Sequence, residues 1–317
     1  MGFREYVLKR VLLLFPILFG VSVMSFALIY MLPGGPVEAA MGGVGGSVES
    51  IQARKKELGF NRPIYIQYID WVTDVLRGDL GETIASGRDV SKIIWSSIGP
   101  TYWLATGGLV VSVMIGIPAG IISAVNQYSI KDYAMTSFAF LGLSIPNFWL
   151  GIMLALVFGL WLSILPTSGF TSPFQDPIEG IKLLILPSIT LGTAGAAIVT
   201  RMMRSSMLEV LSEGYIRAAK SKGLPNKVVL YKHAVRNALI PTITVIGINF
   251  GYYLGGAVIV ESIFSLPGMG RAILNAVFSR EFSIIQAGIL LIAVTFTLIN
   301  LTVDLLYVYI DPRIKYD

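Results

Sequence analysis

The sequence predicts an all-α protein that crosses a membrane six times. Of its 317 residues, 54% are hydrophobic and 14% are charged, whereas about 25% of the residues of a soluble domain are charged. The mean hydropathy is +0.72. A helix needs roughly 20 apolar residues to cross about 30 Å of hydrocarbon. Runs of that kind occur near 9–31, 101–125, 134–162, 181–202, 240–261 and 284–310.

The first apolar run is expected to remain in the protein as a transmembrane helix. The charged start from Met1 to Arg10 is similar to that of a signal peptide. The apolar run after it is too long for a signal peptide, however, and has no small-residue cleavage site before Pro33. We therefore count it as the first span.

The positions of Lys and Arg predict the orientation of the chain. Loops that alternate across the membrane would place the N-terminus, 126–133, 201–239 and the residues after 310 on one side, with more than half of the 24 cations. Most of the others lie in the long segment 33–99, where the charge rule has little force. Both termini are therefore expected to be cytoplasmic. The net charge of +5 indicates contact with lipid rather than with nucleic acid, because position matters more than the sum in a membrane chain.

The segment 33–99 predicts a small extracytoplasmic cap. A helical pattern follows Pro63 and can end at Gly78. Its apolar face is formed by Ile64, Tyr68, Trp71 and Val75. The cap either packs on the ends of the spans or also offers a surface to an outside partner, and the pattern slightly favours packing alone. The chain then divides into a first span at 1–32, the cap at 33–99 and a core at 100–317.

Small residues four positions apart predict close helix packing within the spans. In lipid, such seams let two backbones approach and gain dispersion contacts. The seams are Gly116 with Gly120, Gly192 with Ala196, and Gly247 with Gly251 and Gly255. Spacing does not tell whether each seam packs on the same chain or on a second one. Kinks are expected at Pro118, Pro146 and Pro187.

Polar residues are sparse within the apolar runs. Asn300 and Asp304 lie one turn apart on the last run, so they share a face that looks into protein or water. A hydrogen-bonding pair is favoured over a proton relay, because a lone carboxylate without an intramembrane basic partner makes a poor relay. Glu261 ends the fifth run and is expected to be solvated. His233 is expected to be a surface or packing residue.

The chain carries no motif for catalysis, cofactor binding or metal binding. It has no cysteine, phosphate-binding loop, His-Glu-x-x-His pair or Gly-x-Ser-x-Gly elbow. We therefore expect a non-enzymatic protein whose energy for transport comes from an ion or from another chain. An ion-coupled secondary transporter would need intramembrane ionisable pairs and inverted repeats, and the sequence shows neither convincingly.

The most basic loop lies between the fourth and fifth apolar runs and contains Glu213 to Gly223. A cationic helix next to the membrane lies on anionic headgroups or docks on a protein, and pattern alone leaves both open. Helix-capping patterns predict two short helices hinged at Gly223. These patterns involve Ser206 with Glu209, Ser212, Gly223 and Pro225. The bare surface of the first helix would be Ala218 and Ala219, with Arg217, Lys220 and Lys222 at its rim.

This loop resembles the EAA loop of bacterial and archaeal ABC importer permeases, in the form found in the peptide branch. The matching residues are Glu213, Ala218 with Ala219, and Gly223, although 214–217 separate the glutamate from the alanines. Nearly the whole chain is similar to the B-type permeases of dipeptide and oligopeptide importers. The segments that carry this similarity are Leu58 to Pro63, Gln67 with Tyr68, Trp71, Gly78 to Gly81, His233 to Pro241, Glu261 to Gly270, Asp304 to Tyr307 and Asp311 to Arg313.

The resemblance implies a type I importer permease with several partners. These are a second, C-type permease, two cytoplasmic ATPase subunits that hold ATP and magnesium, and an extracytoplasmic solute-binding protein that docks partly on the cap. It further implies that the loop at about 203–240 contains a coupling helix seated on an ATPase. Its coupling residues would be Glu213, Tyr215, Arg217, Ala218, Ala219, Lys222 and Gly223. The implied cargo is a dipeptide or oligopeptide, with glutathione, nickel chelates, haem and oligosaccharides as alternatives.

Overall fold

The computed structural model describes residues 3–31, 35–41 and 47–310, which form helices joined by loops. The helices are α1 (Phe3–Tyr30), α2 (Pro36–Met41), α3 (Val48–Glu57), α4 (Ile64–Leu76), α5 (Val90–Val125), α6 (Ile130–Ser144), α7 (Asn147–Leu154), α8 (Pro177–Ser212), α9 (Gly214–Ser221), α10 (Asn226–Val228), α11 (Arg236–Gly256), α12 (Val258–Ile263), α13 (Met269–Ser279) and α14 (Phe282–Ile310). Two further stretches, Ala155–Trp161 after α7 and Val229–Val235 after α10, are wound as π-helix.

Among the described residues, five helical segments are long and apolar enough to cross a membrane, and α6 with α7 and the π-helix after it makes a sixth if this bent pair is one span. The kink expected at Pro146 is confirmed, because the two helical halves of the third apolar run are bent by 100° at this proline. Proline disfavours a helical conformation at the residue before it. Ile145, which precedes Pro146, is accordingly extended at φ −80° and ψ 122°. Pro118 and Pro187 instead stay inside α5 and α8.

Helices α5 and α8 form the centre of the fold and pack together along their length. A Cβ atom on Gly116 would lie 2.7 Å from Val199, and one on Gly120 would lie 2.6 Å from Met203. Gly192 lies similarly close to the backbone of α5. Only residues without a side chain permit this approach, so the first two seams pack within one chain.

The third predicted seam packs at two of its three glycines. A Cβ atom on Gly247 would lie 2.0 Å from Val303, and one on Gly251 would lie 2.5 Å from Phe296, both on α14. Gly255 has no atom within 4 Å of the Cβ position and is exposed. Gly255 therefore has no packing role within this chain, and contact of this glycine with a second chain stays a prediction.

The cap packs on the first span through an aromatic contact. The Tyr68 hydroxyl is 2.7 Å from Ser22 Oγ, and the rings of Trp71 and Phe26 lie 5.7 Å apart. The predicted apolar face of α4 is therefore confirmed at Tyr68 and Trp71. It is wrong at Ile64, which is 54% exposed.

Helix α5 begins well before the apolar run at 101–125. Asp89 caps its first turn, where the carboxylate accepts a hydrogen bond from the backbone N–H of Lys92 at 3.2 Å. This hydrogen bond lowers the pKa of the exposed Asp89 carboxyl. The second span therefore leads directly out of the cap.

Candidate functional site

Helix α8 continues through the first part of the basic loop and ends at Ser212. Ser206 is buried inside it, so the predicted capping box of Ser206 and Glu209 is wrong. Ser212 is not a cap either, because its hydroxyl donates to the carbonyl oxygen of Glu209 at 2.7 Å. Glu213 occupies the N-cap position of α9. The helix continues because it still buries apolar side chains beyond the predicted end of the run.

Helix α9 is joined directly to two membrane helices. Gly223 follows it at φ +76°, a left-handed conformation that confirms its predicted place at the end of the helix. Pro225 then precedes a single apolar helix from Asn226 to Gly255. The second short helix predicted in the loop is therefore the beginning of the fifth span, and that prediction is corrected.

The inner face of α9 is apolar and packs on its own chain. Ile216 is fully buried and Ala219 is 8% exposed. They belong to a buried group, here called the α9 cluster, that consists of Ala124, Met203, Met207, Ile216, Ala219, Val229, Ala234 and Ala238. The prediction that Ala219 forms part of a bare outer surface is therefore wrong. The spacing of three residues puts Ile216 and Ala219 on the same side of the helix.

The outer face of α9 is exposed and cationic. The exposed predicted coupling residues are Glu213, Tyr215, Arg217, Ala218, Lys222 and Gly223. The ion pairs found among the described residues do not include Arg217, Lys220 or Lys222. The Tyr215 hydroxyl accepts a hydrogen bond from Asn237 Nδ2 at 2.9 Å, which ties α9 to α11. One helix thus presents a charged surface while its other side is held by the spans.

An ion pair between α6 and α8 lies beside the α9 cluster. Asp132 is 2% exposed, and its two carboxylate oxygens accept from Arg204 Nη2 at 2.8 Å and from Arg204 Nε at 2.9 Å. The hydroxyl of Ser123 on α5 also donates to Asp132, and the backbone N–H of Tyr128 does so at 3.0 Å. Three spans therefore meet at one carboxylate.

A second buried carboxylate lies at the other end of α5. Glu261 is fully buried and accepts from the Thr101 hydroxyl at 2.6 Å and from the backbone N–H of Arg271 at 2.8 Å. The same hydroxyl accepts from the backbone N–H of Met269 at 2.8 Å. A Cβ atom on Gly268 would lie 2.1 Å from the carboxylate. The prediction of a solvated Glu261 is wrong, because the carboxylate satisfies the free N–H groups at the start of α13.

The other polar residues singled out in the sequence are Asn300, Asp304 and His233. Asn300 is half-buried on α14, whereas the side chain of Asp304 and residues 311–317 lie outside the described residues, so the pair stays a prediction. His233 is half-buried in the π-helical stretch. Within the described part of the chain, no three His, Asp or Glu side chains are grouped in a way that could hold a metal ion.

The chain matches two family models. Residues 116–316 match the binding-protein-dependent transport system inner membrane component, and residues 3–89 match the N-terminal part of such membrane components. The chain belongs to this family. It is a multi-pass permease subunit of the inner membrane and not an enzyme, and the predicted family is confirmed.

Two curated relatives align with this permease over nearly its full length. The dipeptide transport system permease protein DppB of Alkalihalophilus pseudofirmus is 42% identical, over 98% of this chain and 99% of that protein. The glutathione transport system permease protein GsiC of Escherichia coli K12 is 41% identical over the same shares.

The fold is also found in a solved ABC importer. The methionine ABC transporter MetNI, in an inward-facing conformation, matches with a TM-score of 0.57 at 15% identity, over 69% of this permease and 96% of that chain. This match shows the fold of a type I importer permease.

The sequence interpretation missed the burial of Asp132 and of Glu261. The available signal was charge at the ends of apolar segments, namely Asp132 at the start of the third run and Arg204 just after the fourth. The partners are far apart in the chain, since 72 positions separate Asp132 from Arg204 and 160 separate Thr101 from Glu261. Local patterns cannot pair residues at that distance.

Proposed function

We propose that this permease forms half of the translocation pore of an ATP-driven importer for dipeptides and oligopeptides. A second, C-type permease supplies the other half, and an extracytoplasmic solute-binding protein delivers the cargo. Two ATPase subunits bind ATP and magnesium, while this chain binds no cofactor. The relatives named for dipeptide and glutathione transport support a peptide cargo.

The observation that carries the coupling part of this proposal is the two-sided character of α9. Its inner face is packed against three spans through the α9 cluster, while its outer face is exposed and cationic. A groove on an ATPase that receives this outer face can move α9 and the attached spans together. The docking residues are Glu213, Tyr215, Arg217, Ala218, Lys222 and Gly223, and Ala219 supports them from inside.

The orientation follows from the same assignment. We infer that α9 and both termini are cytoplasmic and that the cap at 33–99 faces outward, between the first span at 1–32 and the core at 100–317. The cap then offers its exposed surface to the binding protein. The excess of Lys and Arg on the α9 side supports this orientation.

Adjacent alanines test the coupling assignment. We expect Ala218→Arg to lower ATPase docking and transport strongly while the permease stays folded, since overpacking a tight groove costs about 1–3 kcal/mol. Ala219→Arg should instead reduce the amount of folded permease, because Ala219 is buried in the α9 cluster. Co-purification of the ATPase, transport in proteoliposomes and the thermal unfolding midpoint distinguish the two results. Normal docking and transport by Ala218→Arg would contradict the assignment.

The cargo is tested by isolating the complete complex in mild detergent together with its binding protein. Mass spectrometry of the solute released from that binding protein should identify short peptides. An oligosaccharide, a nickel chelate or haem as the bound solute would replace the peptide assignment and leave the coupling assignment intact.

A further inference from the structure

We propose that the Asp132–Arg204 ion pair is the positioning element that makes α6 move together with the α9 cluster during the transport cycle. This inference rests on the proposed coupling function of α9, and it assigns a role to residues outside the coupling helix. It treats both residues as positioning residues, because neither lies on the exposed face of α9.

The position of the pair suggests this role. Arg204 follows Met203 of the α9 cluster in sequence, and Ser123 precedes Ala124 of the same cluster. The cluster contains residues of α5, α8, α9, the π-helical stretch and α11, and the apolar residues packed against it come from the same part of the fold. Helix α6 contributes none of them. The polar contacts of Asp132 therefore attach α6 at the level where α9 docks.

The rest of the α6–α8 contact is interrupted. Next to the ion pair, the two helices line a partly open, largely apolar pocket of about 320 Å³. Its apolar lining is Ala139, Phe140 and Leu143 of α6 with Ala197 and Leu208 of α8. The helices touch again where a Cβ atom on Gly142 would lie 3.3 Å from Thr193. The pair is thus the attachment of α6 on the α9 side of this pocket.

The bent span continues from α6 towards the opposite end of the molecule. Beyond the 100° bend, α7 packs on α8 and α12. A Cβ atom on Gly151 of α7 would lie 3.1 Å from Thr190 and 3.4 Å from Ile263 and Phe264. A displacement of α6 at the ion pair is therefore carried towards the corner that holds Glu261.

The geometry of the ion pair fixes the orientation of α6 relative to α8 as well as its position. Two nitrogens of the Arg204 guanidinium contact the two oxygens of Asp132, so the planes of both groups are held. Arg204 Nε is also 2.9 Å from Ser123 Oγ, which brings α5 into the same contact. A lysine at this position could supply the charge but not the planar two-point contact.

The test compares single and double variants in the complete transporter, reconstituted with its ATPase subunits and binding protein. We expect Arg204→Lys to lower the amount of solute transported per ATP hydrolysed by about tenfold, while ATP hydrolysis itself changes little. The double variant Asp132→Leu with Arg204→Met removes both charges, and replacing a buried ion pair by apolar residues is often neutral for stability. It should fold normally and still transport poorly per ATP. Arg201→Met is the matched control and should behave as wild type, because this exposed arginine one turn away also lines the pocket but is in none of the ion pairs found among the described residues.

Spin-label distances test the movement of α6 itself. The chain has no cysteine, so labels can be placed at Ser137→Cys on α6 and Glu209→Cys on α8, both exposed sites. With the ion pair intact, the distance should be the same in the nucleotide-free and the vanadate-trapped complex. In the double variant, the distance should differ between these two states.

Wild-type transport per ATP in the folded double variant would overturn the proposal, because the pair would then serve folding alone. An α6–α8 distance that changes in the wild type, or that stays constant in the double variant, would also overturn it. If Ala218→Arg is harmless while the distance still depends on the ion pair, the coupling assignment of α9 fails and the attachment of α6 stands.

Discussion

The two ends of α5 each hold a buried carboxylate, and the two carboxylates are satisfied in opposite ways. Asp132, near the end of α5, is 2% exposed and is paired with a guanidinium. Glu261, near its beginning, is fully buried and is held by the Thr101 hydroxyl and by backbone N–H groups at the start of α13. The Asp132 carboxylate is therefore stabilised by the opposite charge of Arg204, whereas the Glu261 carboxylate is stabilised by the dipoles of hydroxyl and N–H groups.

The type of partner group determines which helices each carboxylate can hold together. A guanidinium on a long side chain reaches from one helix to another, so the Asp132 site connects three spans. A helix N-terminus has free N–H groups that point along its axis, so the Glu261 site holds the beginning of one helix at a fixed place. The α9 end of the permease is therefore built to connect elements, and the opposite end is built to hold a corner.

The largest loss of stability is expected when one residue of the Asp132–Arg204 ion pair is replaced and the other is kept. Asp132→Ala leaves a partly buried guanidinium without its counter-charge, and such losses cost about 3–5 kcal/mol. Because the Arg204 side chain is 29% exposed and can reach water, we expect a value near the lower end. The thermal unfolding midpoint of the purified complex measures it. A loss no larger than that of the control Arg201→Ala would show that the pair contributes little.

An intermediate effect is expected from Glu261→Gln. The amide keeps the shape of the carboxylate but turns one acceptor into a donor, which then faces donors at the start of α13. A buried donor left without a partner costs about 1–3 kcal/mol. The exposed Glu179→Gln on α8 is the control. Equal unfolding midpoints for the two variants would mean that the carboxylate does not hold α13.

The smallest effect is expected from a single methyl group at the Glu261 site. Gly268→Ala would place a Cβ atom 2.1 Å from the Glu261 carboxylate. We expect a loss of about 1 kcal/mol in the free energy of unfolding, because overpacking costs an amount of that order and the end of the Glu261 side chain can shift. Gly255→Ala has open space around the new methyl group and should stabilise its helix by about 0.5–1 kcal/mol. The two variants should thus shift the unfolding midpoint in opposite directions, and a shift in the same direction would refute the close packing at Gly268.

The sequence predicted the spans better than it predicted the loop between the fourth and fifth. Long apolar runs predict helices directly: five of the predicted runs correspond to one long helical segment each, and the third corresponds to a bent pair of helices. The capping predictions at Ser206 and Ser212 were wrong because α8 continues to Ser212. Side chains on one face of α8 are still buried in this part of the loop. At Gly223 the local signal was right, since a left-handed residue at the end of a helix depends on the backbone alone.

Composition and periodicity were sufficient to establish a membrane protein of about six spans, because the cost of placing polar backbone and side chains in lipid leaves few alternatives. The motifs along the chain were sufficient for its family. The burial of Ala219, the open position at Gly255, the ion pair at Asp132 and the capping role of Glu261 were decided only in three dimensions. Each depends on which residues far apart in the chain come together, and the packing of whole helices sets that.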